Sequence, residues 1–473
     1  MNKKISALKF WAITALAAIT ITYSCKKDDP KPGNNKEVNQ WIEDNMRYLY
    51  YWTSKIPAST NKNLAPDQFF ESLLYKTEDR FSWIQESAED LENSLNGVSK
   101  SVGYEIRLYT TGVGSNIIGQ ILYVLPNSPA AKAGLKRGDI FGKINGKQLT
   151  TTNYESLLFG LDSFTITTLT YSNGNFTDKE TKNLIALEIE ENPVFLDSVY
   201  TINNKKIGYF VYNQFVADPG DKTGKYDKKM DEVFGKFKAQ GVTDLVLDLR
   251  FNTGGLVTSS TLLASLIVKD LDPNKVFYKK EYNTQVTKEI MDDPSLGAAF
   301  FLGKFISKSN NIGANLNKLY VLTSNHTASA SELLINGLRP YMPVFLIGAK
   351  TYGKNVGSIT VTDETGKIKW GMQPIVTKSF NSLGQSDYNT GFVPDIEDLD
   401  NGSDLKPLGD IHEALLNKAL VQITNGVVYS TRETQASRAF SLRLKELSSS
   451  IDRKPMAFKS LHDDYPKLKR LMR

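Results

Sequence analysis

Apolar residues recur with two different periods along this chain. Near the start, Val38, Trp41, Ile42, Met46 and Leu49 fall at helical spacing, and Pro66-Asp67 opens a second run with Phe69, Phe70, Leu73 and Leu74. These predict a small helical module over 37–95, with its aromatic residues in the core. From Ser101 to Gly174 the runs shorten into strands and turns, and Asn145-Gly146 after an apolar stretch predicts a hairpin. From Ile185 onward, apolar strands alternate with helices. Residues 207–211, 245–249, 319–322 and 344–347 predict strands. Met230, Val233, Phe234 and Phe237 predict a helix that stops at Gly241, and a further helix runs from about Ser329 to Leu338, ended by Arg339-Pro340. The fold class is therefore multidomain α/β: a helical module, a β-rich domain over 96–176, and an α/β core over 177–425 with a partly parallel sheet.

The first segment has another pattern. Lys3, Lys4 and Lys9 precede an apolar run from Phe10 to Thr22, which predicts a secretory signal over 1–24. The run falls short of the roughly 20 apolar residues a membrane-spanning helix needs. The single cysteine, Cys25, stands where it ends. This resembles a bacterial lipobox, which implies lipidation of Cys25, a tether over 25–36, and an anchor in the outer membrane, on its periplasmic face or at the cell surface.

Composition narrows the function classes. With 473 residues, 40% hydrophobic and 23% charged, the chain is globular rather than collagen-like or disordered. A formal charge of +5 lacks the basic excess of a nucleic-acid binder. One cysteine excludes an intrachain disulfide, and three scattered histidines argue against a His-rich metal site, so no metal or cofactor is expected. Residues 431–473 hold 11 Lys+Arg against 5 Asp+Glu. The extension over 426–473 reads as a solvated basic tail, with a helical lid or contact with lipid headgroups as the alternatives.

Three segments could carry chemistry. Thr327-Ala328-Ser329-Ala330-Ser331-Glu332 follows a predicted strand and opens a helix, where free N–H groups and the helix dipole favour negative charge. Taken alone, Ser329-x-x-Glu332 reads first as a capping box. Asp248-Leu249-Arg250-Phe251-Asn252-Thr253-Gly254-Gly255 ends a buried strand in a double glycine that can bring backbone N–H groups close to a ligand. Residues 348–354 fit a phosphate-binding loop up to Lys354, but Asn355 replaces the required hydroxyl and a strand, not a helix, follows. There is no G-x-S-x-G or H-E-x-x-H, and Ser59-Thr60-Asn61-Lys62 lies in a polar loop without companion motifs.

The run from Ser128 to Asp139, S-P-A-A-K-A-G-L-K-R-G-D, together with Val102-Gly103-Tyr104-Glu105-Ile106, resembles a PDZ domain. That resemblance implies that Gly103, Tyr104, Glu105 and Ile106 receive a peptide strand and its terminal carboxylate. D-L-R-x-N-x-G-G, T-A-S-A-S-E, the Gly353-Lys354 pair and a closing Gly391-Phe392-Val393-Pro394-Asp395, all downstream of the PDZ-like segment, resemble the carboxy-terminal processing (tail-specific) proteases. The resemblance implies a crotonase-like peptidase core in which Ser329 is the nucleophile and Lys354 the general base. It places the oxyanion hole at Ala330 with Gly254 or Gly255. Members often carry a glutamine four residues after the lysine; Ser358 stands there here. The implied partners are proteins or peptides with free C-termini, and the competing class is a peptide-binding lipoprotein of the same fold without catalysis.

A serine–lysine pair makes a physical demand. The lysine must be uncharged to take the serine proton. Near neutral pH that requires a pKa depressed by roughly 3 units, about 4 kcal/mol, which burial can supply. The expectation is a dry amine with no carboxylate in contact. His326 is the competing base, on a turn expected to aim it elsewhere, and His412 and His462 lack any accompanying motif.

Overall fold

A computed structural model describes residues 34–172, 174–426, 440, 443–454 and 461–462. The segment predicted to be a secretory signal, and Cys25, lie outside these residues. The first helix, Asn35–Leu49, starts slightly earlier than the tether boundary suggested, because Asn34 caps it and Glu37 completes a capping box. It packs with Pro66–Leu73 around Ile42, Met46, Phe69 and Phe70. The same cluster takes in Val356, Ile359, Ile375 and Val376, so the helical module rests directly on the strands that follow Lys354.

The PDZ-like domain is built on Tyr104–Thr110, Ile117–Val124, Ile140–Ile144 and the long hairpin Ser163–Ser172/Asn175–Ile185. The hairpin carries this sheet to Ile185, past the boundary at residue 176 read from the sequence. The Asn145-Gly146 turn is present, with Asn145 at φ 48° and Gly146 at φ 72°, the left-handed pair such a turn needs.

The core holds a six-stranded sheet in the order Val194–Ile202, Lys205–Tyr212, Asp244–Asp248, Leu319–Thr323, Val344–Gly348, Ile396–Glu397. All neighbours run parallel except the first pair. Alternation along the strands explains the layering. Leu245, Leu247, Val321 and Leu346 face the helices Lys225–Ala239, Val257–Ile267 and Ala330–Leu338, while Val246, Tyr320, Leu322 and Ile347 face the helix Ala414–Thr424. Each such fully buried aliphatic side chain contributes about 1.5–3 kcal/mol.

Domain docking uses buried charge. Arg250 is enclosed by Asp248, Asp400 and Glu413, and Arg137 of the PDZ-like domain reaches the same Asp400 at 2.7 Å. The D-L-R sequence thus supplies structure beneath the loop that carries the glycines.

One expectation fails. The C-terminal extension is not simply solvated where it is described. Lys445–Ser449 pairs antiparallel with Tyr104–Thr110 as an edge strand of the PDZ-like sheet, and Phe440 and Leu444 pack on Tyr109, Ile118 and Ile140. Periodicity missed this because the strand is polar, Lys-Glu-Leu-Ser-Ser, and its pairing is with residues more than three hundred positions away.

Candidate active site

Ser329 sits immediately before the helix Ala330–Leu338, in a backbone conformation of φ 61° and ψ −111°. A residue whose only task is to cap a helix sits in the extended region. Holding a serine here costs on the order of 1–3 kcal/mol, strain that concentrates at functional sites. At the first helical position, the N–H of Ala330 has no intrahelical acceptor. The hydroxyl of Ser329 is fully buried.

Lys354 is fully buried in the loop after Val344–Gly348, its Nζ 5.3 Å from the centre of the Phe81 ring. The ring face offers a cation a modest favourable contact. Arg80 clamps the loop by donating to Gly353 O at 3.2 Å.

Glu332 is the residue whose role the sequence concealed. Its Oε2 accepts the backbone N–H of Ser329 at 2.9 Å and that of Lys354 at 2.8 Å. Its Oε1 accepts the Thr351 hydroxyl at 2.6 Å and the Gly353 N–H at 2.7 Å. One carboxylate oxygen therefore joins the serine loop to the lysine loop. Burial pushes the Glu332 carboxyl above its ordinary range, against the pull of these four hydrogen bonds. The Ser-x-x-Glu spacing signals the helix cap correctly; it gives no sign that the same carboxylate also holds the lysine.

The glycine loop is fastened to the serine loop. Asn252 O accepts from Ala328 N at 3.1 Å and Ser331 Oγ at 3.1 Å, and Leu249 O accepts from Thr327 Oγ1 at 2.9 Å. Gly254 N–H donates to Asn252 Oδ1 at 2.9 Å and is spent within the turn. Phe215 N–H donates to Gly254 O and Leu256 N–H to Phe215 O, so the N–H of Gly255 faces the opposite edge. Gly255 has φ 137°, and a Cβ there would lie 2.0 Å from Phe215 O. Gly255→Ala is expected to shift this backbone and to lower peptide hydrolysis at least about 100-fold, while the fold persists by circular dichroism.

The remaining candidates separate into two places. Ser358 is buried on Val356–Ser358, on the lysine side of the site. Gly103, Tyr104, Glu105 and Ile106 lie on the PDZ-like edge. There Gly103 N–H donates to Ser101 Oγ at 2.9 Å, and Ile106 N–H donates to Ser450 Oγ of the C-terminal segment at 2.8 Å. His326 Nε2 shares a hydrogen bond with Asp452 at 3.1 Å. Among the described residues no cluster of His, Cys, Asp and Glu could hold a metal ion.

Three stretches of the chain match known family models. Residues 206–398 match Peptidase family S41, residues 37–83 match the Peptidase S41 N-terminal domain, and residues 120–159 match a PDZ domain. Residues 206–398 thus carry an S41 peptidase domain, with the family's N-terminal module and a PDZ domain ahead of it. It is 26% identical over 281 residues to a probable CtpA-like serine protease of Staphylococcus haemolyticus, covering 58% of this chain and 49% of that protein. A probable CtpA-like serine protease of Staphylococcus aureus is 24% identical over 306 residues, covering 62% of this chain and 55% of that protein. The chain thus spans about half the length of the curated relatives it matches. The crystal structure of a putative S41 protease from Bacteroides fragilis superposes with a TM-score of 0.69 at 27% identity, covering 81% of this chain and 97% of that one.

Proposed function

We propose that this chain is a serine endopeptidase that cleaves extended proteins or peptides in or near their C-terminal regions. Ser329 Oγ attacks the scissile carbonyl carbon. Lys354 Nζ takes the hydroxyl proton and returns it to the leaving amine, and water then hydrolyses the acyl-enzyme. The N–H groups of Ala330 and Gly255, rather than Gly254, receive the oxyanion. Ser358 offers a hydroxyl to orient the amine in place of the family's glutamine. The observation that carries this reading is the Glu332 oxygen that binds the N–H groups of both Ser329 and Lys354. The strained serine backbone and the buried lysine support it.

The PDZ-like domain is proposed to take the substrate's free C-terminus along Tyr104–Thr110. Lipidation at Cys25 and an outer-membrane address complete the reading, on the strength of the basic, apolar and cysteine pattern. The test uses an extended peptide as its free acid and as its C-terminal amide. The free acid is expected to show at least about a tenfold higher kcat/KM, the worth of one charge-assisted hydrogen bond to the carboxylate. Equal hydrolysis of both removes carboxylate recognition, and hydrolysis of neither, by the parent chain and by Lys454→Glu alike, removes the peptidase reading.

A further inference from the structure

The C-terminal segment touches both halves of the proposed machinery. Lys445–Ser449 runs antiparallel to Tyr104–Thr110, with Lys445 opposite Thr110 and Ser449 opposite Arg107, so its C-terminal end leads toward the Gly103 turn. Ser450 continues the pairing: its N–H donates to Ile106 O at 2.9 Å. The segment is then clasped by charge. Lys454 Nζ lies 2.8 Å from Glu105 and 2.9 Å from Glu191, and Asp452 holds His326, three residues before the nucleophile. Further on, Leu461 pairs with Gly255 and His462 with Leu256, both parallel, and His462 also pairs with Ser358. The short strand Leu461–His462 therefore lies between the strand of the oxyanion glycine and the strand that follows the lysine.

We infer that the chain's own C-terminal segment is a tethered inhibitor that fills both the peptide-accepting edge of the PDZ-like domain and the active-site cleft. This rests on the peptidase reading for its consequence, but occupancy itself does not. Direction separates an inhibitor from a substrate. A substrate held by its C-terminus offers the cleft residues that precede the held end. This segment meets the PDZ-like edge first and the cleft afterwards, the reverse order. A tethered segment acts at an effective concentration on the order of millimolar, so a dilute peptide competes poorly with it. The two acidic partners of Lys454 belong to the PDZ-like domain and to the segment that joins it to the core, so the clasp closes only when both are in place.

The test keeps the full chain. Lys454→Glu sets a carboxylate against Glu105 and Glu191 and is expected to release the segment. In a Ser329→Ala background, which prevents cleavage, a fluorescein-labelled peptide copying residues 440–473 is expected to bind the Lys454→Glu protein at least about tenfold more tightly than the unreleased protein. Equal affinity overturns the inference. With Ser329 intact, Lys454→Glu is expected to raise kcat/KM for an unrelated extended peptide by a similar factor, and an unchanged value also overturns it. Where neither enzyme hydrolyses the peptide, the peptidase reading fails while the binding measurement still decides occupancy. Leu461→Pro, which sets a proline in the short strand Leu461–His462 at the far end of the segment, is the second variant should Lys454→Glu fail to fold. It is expected to give the same direction in both measurements.

Discussion

Ser329→Ala and Lys354→Met are each expected to lower kcat/KM for peptide hydrolysis by about 10⁴-fold or more, and the double variant by little beyond that. Residues that pass one proton between them act as a unit, so their losses do not add. Methionine is chosen because it keeps most of the lysine's volume against Phe81 and removes the amine. Circular dichroism and the thermal midpoint are expected to stay near those of the parent. The sign of the pH dependence follows from the chemistry. The amine works only unprotonated, so the rate rises with pH along the limb where Lys354 loses its proton, and that limb is absent from the residual activity of Lys354→Met. Stopped-assay kinetics across pH check both statements. A methionine variant that retains parental turnover would remove the lysine from the mechanism.

Glu332→Gln is the second large effect. It looks conservative and is not. Every carboxylate oxygen here faces donors: Ser329 N and Lys354 N on one, Thr351 Oγ1 and Gly353 N on the other. An amide can be placed two ways, and either one sets its NH₂ against two donors. Leaving a buried donor unpaired costs about 1–3 kcal/mol, so a loss of about 3 kcal/mol in unfolding free energy is expected. Activity is expected to fall at least about 100-fold, because the serine and lysine loops lose their common anchor and small misplacements are expensive. Denaturant titration and kcat measured on the folded fraction separate the two effects. Since Glu332 touches backbone and not the reacting atoms, it is a positioning residue. In the Lys454→Glu background, binding of a free-acid peptide to the PDZ-like edge is expected to survive the change, which distinguishes loss of positioning from global collapse.

Much of the core was legible because its signals are local. Strands such as Leu319–Thr323 are short apolar runs, and the helix Ala330–Leu338 opens at its polar turn and ends before Pro340. Double glycine before a helix and Ser-x-x-Glu after a strand can be read within a dozen residues. What could not be read depends on contacts between distant segments. Asn252 appears in the sequence as one polar residue of a turn; only the fold shows it accepting from Ala328 and Ser331 while its amide reaches Tyr212 O at 2.8 Å. Phe81 belongs to the helical module by sequence and to the lysine's surroundings in space. The extension was misread for the same reason. Its charge describes a solvated tail, whereas its fate is set by an unpaired sheet edge elsewhere and by Glu105 and Glu191, residues that net charge ignores.

The parallel strands Asp244–Asp248, Leu319–Thr323 and Val344–Gly348 all release their loops at one rim of the sheet, and those loops carry the glycines, the serine and the lysine. Scaffold and chemistry are thereby partitioned: the ladders that hold the sheet end before the reactive segments begin. Rim positions outside the Glu332 and Arg250 anchors can exchange side chains while the apolar layers beneath keep their register, so the surroundings of the site are free to drift at little risk to the folded state.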